Sequence, residues 1–230
     1  VAEAAWHARH RWAFGRALID QPAMTAVVAD LQLEAEAATA VSLRLARAHD
    51  DDADDAERAF RRLATAVEKY WVCKRGPGHA AEALECLGGN GYVEDFPLAM
   101  RYREQPVMAV WEGSGNVVAL DVLRALRREP GSYDAFEAEV ALAAGVDPRF
   151  DAYQAGTRAL VRDALAADEP EALMRAVVVR LALGLQASLL LRTAPAVVAD
   201  AFVGARLTGD GHLYGALPAG TDARAIAARA

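Results

Sequence analysis

Along most of the chain, apolar residues recur at steps of three and four, the period of a helix packed on one side. Val27, Leu31, Ala35, Ala38, Val41 and Leu45 form one such stripe, opened by Asp20 and by Pro22, a residue suited to a first helical turn. The stripe predicts a helix to about Ala48, roughly 40 Å long at 1.5 Å per residue. Phe60, Leu63, Ala64, Val67, Tyr70 and Trp71 form a second stripe. Gly76-Pro77-Gly78 is expected to interrupt or kink it before helix resumes to about Leu87. Ahead of both, Ala2 to about Ala17 is Ala-rich and reads as a helix ending near Gly15. The run Asp50–Asp55 reads as a solvated turn whose last acids favour the positive end of the next helix.

Gly88-Gly89-Asn90-Gly91 stops the second long helix, and a loop with Pro97 and Pro106 follows. Ser114 to about Arg128 reads as helix, with Val117, Leu120, Val122, Leu123 and Leu126 apolar. Glu129-Pro130-Gly131-Ser132 is the clearest linker and divides residues 1–129 from residues 132–230. Beyond it the pattern predicts helices at Tyr133–Ala144, Pro148–Ala167, Pro170–Arg192 and Pro195–Leu207, then a Gly-rich turn over Thr208–Gly220 and a short tail helix. The helix from Pro170 is apolar on nearly all sides, which places it at the centre of its bundle. Strand signals are almost absent, so the expected fold is all-α.

Composition agrees with this. Ala makes up nearly a quarter of the 230 residues and is the strongest helix former. An apolar fraction of 54% is enough for a real core without staples. The net charge of −7 argues against a general nucleic-acid binder, which carries a basic surplus. Cys73 and Cys86 make no disulfide framework and stand at no metal spacing, which fits a reducing cytoplasm. The five histidines form no metal-spaced pair, and the tryptophans other than Trp111 read as packing residues. Val177–Leu191, the longest apolar stretch, is broken by Arg180, Gln186 and Ser188 and reads as too short and too polar to span a bilayer. The chain opens on Val1 rather than Met and is expected to be a piece of a longer protein.

Four places have residue types that carry chemistry. Arg11-Trp12-Ala13-Phe14-Gly15, with Gln21 after it, sets a guanidinium beside a glycine, an arrangement that takes a phosphate or simply ends a helix. Glu85 through Tyr92 holds Gly88, Gly89 and Gly91, whose N–H groups either face an anion or stop a helix. In Trp111-Glu112-Gly113-Ser114-Gly115-Asn116 a carboxylate precedes a helix start. An apolar Trp neighbour would raise its pKa and suit it to general-base work, although a capping or solvated Glu is the commoner case. Arg101-Tyr102-Arg103, with Lys74-Arg75, is a phosphate patch or ordinary surface charge.

Together the segments are far more specific. Arg-x-x-Phe-Gly with Gln ten residues past the Arg, then Glu-x-x-Gly-Gly-x-Gly-Tyr, then aromatic-Glu-Gly-Ser, resemble the C-terminal helical domain of the acyl-CoA dehydrogenase family of flavoproteins over residues 1–128. Tyr70–Pro77, Glu82–Tyr92 and Trp111–Arg124 resemble its AidB-like branch, the adaptive-response-to-alkylation flavoproteins, which also has a longer C-terminus. The resemblance implies an up-and-down four-helix bundle followed by an extra C-terminal helical bundle. The family's N-terminal helical domain and middle β-domain would then lie outside this chain.

It also implies roles. Arg11 matches the arginine on the FAD pyrophosphate, and Phe14 and Gln21 match FAD contacts in the same region. Glu85, Gly88 and Gly89 match the segment that meets the adenosine part, with Glu85 standing where the family usually has Gln. Ser114 and Asn116 match the Thr and Gln that hold FAD after the catalytic loop. Glu112 matches the base that removes the α-proton of an acyl-CoA thioester. Three functions remain open: the C-terminal part of an FAD-dependent acyl-CoA dehydrogenase, inactive and weakly FAD-binding alone; an AidB-type flavoprotein that binds DNA; and a structural oligomerisation bundle. From Ser132 onward 12 Asp+Glu stand against 9 Lys+Arg, an acidic balance that counts against DNA. The family bundle packs against its own copy, so a homo-oligomer is expected, with no membrane partner.

Overall fold

The expected stripes become the long helices, and most differences lie where they start and stop. A computed structural model describes residues 1–209 and 213–230; part of the expected Gly-rich turn, residues 210–212, lies outside the described residues. In chain order the elements are α1 (Ala2–His10), β1 (Trp12–Ala13), β2 (Arg16–Ala17), α2 (Pro22–Ala48), α3 (Asp55–Glu85), α4 (Gly89–Tyr92) and α5 (Pro97–Met108). After these come α6 (Gly115–Arg128), α7 (Pro130–Ala141), α8 (Pro148–Ala166), α9 (Met174–Thr193), α10 (Ala196–Arg206) and α11 (Ala223–Ala227). The all-α expectation holds, with one two-stranded ribbon among the described residues.

That ribbon corrects the first helix. α1 ends at His10 instead of running to Ala17, because Phe14 and Gly15 take positive φ of 55° and 82° in succession. Two such residues make the tight turn that matches strand twist, so β1 and β2 pair with Trp12 opposite Ala17. The break expected at Gly76-Pro77-Gly78 is also absent: α3 runs unbroken past Pro77. Burial of Phe60, Leu63, Ala64, Val67 and Tyr70 along α3 outweighs the roughly 3 kcal/mol cost of one interior proline. The expected Pro97–Pro106 loop is helix α5, with Pro97 as its first residue and Pro106 in its last turn. The expected linker shrinks to Glu129, because Pro130 already opens α7. Asp54 caps α3 as the acidic turn suggested, its Oδ1 accepting the Glu57 N–H at 2.9 Å.

The chain forms two compact units. Residues 37–74 and 109–194 make one, in which α9 packs against α6, α7 and α8 and buries Val177, Leu181, Leu185 and Leu190. Contrary to the sequence reading, Pro170–Thr193 is long and apolar enough to cross a membrane by length and composition, but 72% of its most apolar stretch is buried within the protein. Arg44 in this unit joins Glu57 and Glu139 at 2.8 and 2.9 Å, with its guanidinium 4.2 Å above the Phe60 ring.

Residues 1–36, 75–108 and 195–230 make the other unit, whose core includes Ala4, Leu31, Ala83, Cys86 and Leu98. Asp30 and Glu34 on α2 are 1% and 6% exposed. Arg206 of α10 bonds both, and Arg75 bonds Glu34 at 2.8 Å. The Gly215 N–H donates to Asp30 Oδ2 at 2.9 Å, and the Tyr214 ring lies against Arg75. Burial alone would raise the Glu34 carboxyl, but Arg75 and Arg206 outweigh it and hold the carboxyl below its ordinary value. Its stabilisation is therefore complete above about pH 4.5 and is lost as pH falls through the lowered value. Arg206→Met, which leaves buried Asp30 without a cation and Glu34 with Arg75 alone, is expected to cost about 3–5 kcal/mol. Urea unfolding at neutral pH measures this, and a loss below about 1 kcal/mol would show the cluster to be dispensable.

Candidate active site

α6 starts at Gly115 with Ser114 as its N-cap, and the loop before it holds Glu112. Glu112 has φ 56° and Gly113 φ 112°, two left-handed positions in succession. The φ of Gly113 favours glycine, and a Cβ there would press on Val118 Cγ2 at 3.3 Å. The Lys69 ammonium donates to the Trp111 carbonyl at 2.9 Å and to the Gly113 carbonyl. Glu112, Lys69, Arg62, Val117 and Asp121 line a pocket of about 400 Å³ between α3 and α6. Arg62 grips Asp121 at 2.9 Å and Glu129 at 3.0 Å. Val117, expected on the apolar face, is 59% exposed and forms a wall of this pocket. The apolar cover expected from Trp111 is missing: Trp111 is 55% exposed and Glu112 is exposed beside it. Ser114 and Asn116 follow on the same unit, both exposed, and Ser114 makes no side-chain capping bond.

The other six residues stand on the unit that holds α1. Arg11 ends α1, and its exposed side chain has no carboxylate partner among the described residues. Phe14 at the hairpin tip is 94% exposed in a strained left-handed conformation. Its ring is held clear of the fold at a cost in backbone strain, as residues at ligand sites often are. Gln21 Nε2 donates to the Ala13 carbonyl at 3.2 Å and fixes the hairpin to the start of α2. Glu85 is exposed at the end of α3. Gly88 and Gly89 have open space where a Cβ would stand. An exposed cation, a projecting aromatic ring and an open glycine pair suit a nucleotide cofactor.

Part of the glycine reading needs correction. Gly88 N–H donates to the Glu85 carbonyl and Gly91 N–H to the Gly88 carbonyl, both at 2.9 Å, so these donors do not face an anion. Gly91 instead packs tightly: a Cβ there would run into the Leu84 carbonyl oxygen. The basic cluster is also neutralised, since Arg103 pairs with Glu94, Arg101 with Glu104 and Arg75 with Glu34. Trp6 and Trp12 are exposed and not packing residues; Trp6 stacks on His10 at 4.5 Å. Lys69 was missed, because nothing in the sequence sets it apart from any other lysine on a helix.

Fold and site together define an all-α domain with an acid on a strained loop. The chain belongs to the acyl-CoA dehydrogenase family, matching the description "Acyl-CoA dehydrogenase, C-terminal domain" over residues 1–127. It is 46% identical to AidB of Escherichia coli (strain K12) over 148 residues, 64% of this chain and 27% of that protein. It is 32% identical to acyl-CoA dehydrogenase family member 11 of Caenorhabditis elegans over 118 residues, 50% of this chain and 19% of that protein. The structure of Caenorhabditis elegans ACDH-11 in complex with C11-CoA superposes with a TM-score of 0.71 at 23% identity, covering 87% of this chain and 37% of that one. The chain thus spans from about a fifth to about a third of the length of these relatives.

The contrast between the glycines is testable. Gly91→Ala is expected to cost about 1–3 kcal/mol by overpacking against Leu84, while Gly89→Ala changes stability by about 0.5 kcal/mol or less. Thermal unfolding of the two variants side by side decides, and equal losses would contradict the close approach at Gly91.

Proposed function

We propose that this chain is the C-terminal part of an FAD-dependent acyl-CoA dehydrogenase in which Glu112 removes the α-proton of an acyl-CoA thioester. The observation that carries the reading is the Glu112 loop, a carboxylate held at left-handed φ on the rim of a pocket, next to a glycine that leaves room for a thioester. A purely structural bundle has no use for that strain. Arg11, Phe14, Gln21, Glu85, Gly88, Gly89, Ser114 and Asn116 would hold FAD, with Arg11 on phosphate oxygens and the glycines admitting close backbone approach. Bound flavin supplies the acceptor for the β-hydride. Glu112 needs a dry site to act, and the family's other domains would provide the cover it lacks here, so the chain alone is inactive and colourless.

The DNA-binding reading has less support. Seven of the nine arginines after Ser132 already pair with carboxylates, namely Arg149, Arg158, Arg162, Arg192, Arg206, Arg224 and Arg229, and phosphates would have to displace those partners.

In the full-length flavoprotein, Glu112→Gln keeps the shape but cannot accept a proton. Anaerobic bleaching of the flavin by an acyl-CoA should slow by about 10²–10⁴-fold with FAD content unchanged. Unchanged bleaching removes Glu112 from the role of base. We also propose self-association, supported by Trp6, Trp12 and Phe14 standing 61%, 68% and 94% exposed on one unit. Light scattering at micromolar concentration should give a multiple of the chain mass; a clean 24.5 kDa species overturns this.

A further inference from the structure

The Glu112 loop is built around a cation on another helix. Along α3, Arg62, Thr65, Ala66 and Lys69 recur at helical spacing and present one face to the pocket. Arg62, at the far end of that face, is matched by Asp121 and Glu129. Lys69, at the Glu112 end, is not matched in this way: among the described residues its ammonium pairs with no carboxylate, although Glu112 lines the same pocket. Its bonds go to the two main-chain carbonyls on either side of Glu112, those of Trp111 and Gly113.

The ammonium thus bridges two carbonyls separated by one residue, across a stretch of unusual backbone. That stretch has positive φ at both Glu112 and Gly113. For Glu112 that conformation carries a steric cost that glycine would not pay. Aligned carbonyl dipoles repel each other as well, and a half-buried ammonium offsets both penalties.

The geometry points to Lys69 as the positioning residue for Glu112: it holds the loop backbone in the one conformation that presents the carboxylate to the pocket, without touching substrate. This rests on the reading of Glu112 as the base. It also accounts for a full charge being committed to peptide oxygens.

The test uses Lys69→Met and Lys69→Arg; a guanidinium fork can span two carbonyls, while a thioether cannot. Hydrogen–deuterium exchange of the chain should show faster exchange over residues 109–116 in Lys69→Met, with peptides of α9 unchanged as the measure of an intact fold. In the full-length flavoprotein, the limiting rate of anaerobic bleaching should fall on the order of 100-fold in Lys69→Met, with the acyl-CoA dissociation constant unaltered. Lys69→Arg should recover most of both. Unchanged exchange over 109–116 overturns the proposal. So does normal bleaching in Lys69→Met when Glu112→Gln is inactive, which leaves the base assignment standing. If Glu112→Gln itself bleaches normally, the base assignment fails, and the positioning role falls with it.

Discussion

Two buried carboxylates impose the strictest condition on the unit that holds α1. Asp30 and Glu34 are out of contact with water, and a buried carboxylate without a partner costs several kcal/mol. α2 therefore cannot pack until guanidinium groups meet it. Arg75 comes from α3, within the part of the chain that matches the family domain. Arg206, the Tyr214 ring and the Gly215 N–H come from beyond residue 127. The extra C-terminal segment is thus no appendage, because it supplies the counter-charges for residues inside the family domain.

Backbone strain is the second theme. Among the described residues only Phe14 and Glu112 are non-glycine residues with positive φ. Each is followed by a glycine that shares the turn, and each has a side chain matched by the family resemblance to cofactor or substrate. They are secured differently. Phe14 is locked by the β1–β2 pairing and the Gln21 bond to Ala13, both local in sequence. Glu112 depends on Lys69, forty-three residues earlier in the chain.

Much of this was legible in the sequence, and the failures have physical causes. The α2 limits, the α3 stripe and the helix from about Ser114 to Arg128 follow from local rules that tertiary packing did not override. The Trp12–Ala17 hairpin was missed because Phe-Gly lacks the usual turn chemistry, and only a positive φ at Phe14 reveals it. The Pro97–Met108 helix was hidden by Pro97, which suits a first helical position, and by Pro106, a helix breaker that nevertheless lies inside it. Asp30 and Glu34 drew no reading from the sequence; their burial depends on Arg206 and Arg75, which no local pattern links to them. For the site, the residue types at Arg11, Gly88 and Glu112 were readable, but Lys69 and the tight packing of Gly91 are purely three-dimensional.

The interleaving of segments also sets an order of events during synthesis. The unit built around α9 has all its residues once position 194 has left the ribosome, whereas the other needs residues 195–230 as well. Elongation at about 5–20 residues per second leaves an interval of seconds in which α1, α2 and the end of α3 exist without Arg206. During that interval Asp30 has no guanidinium partner and Glu34 has Arg75 alone, so burying this face of α2 is unfavourable. Burial of the Asp30 carboxylate is thereby tied to the arrival of residues 195–230.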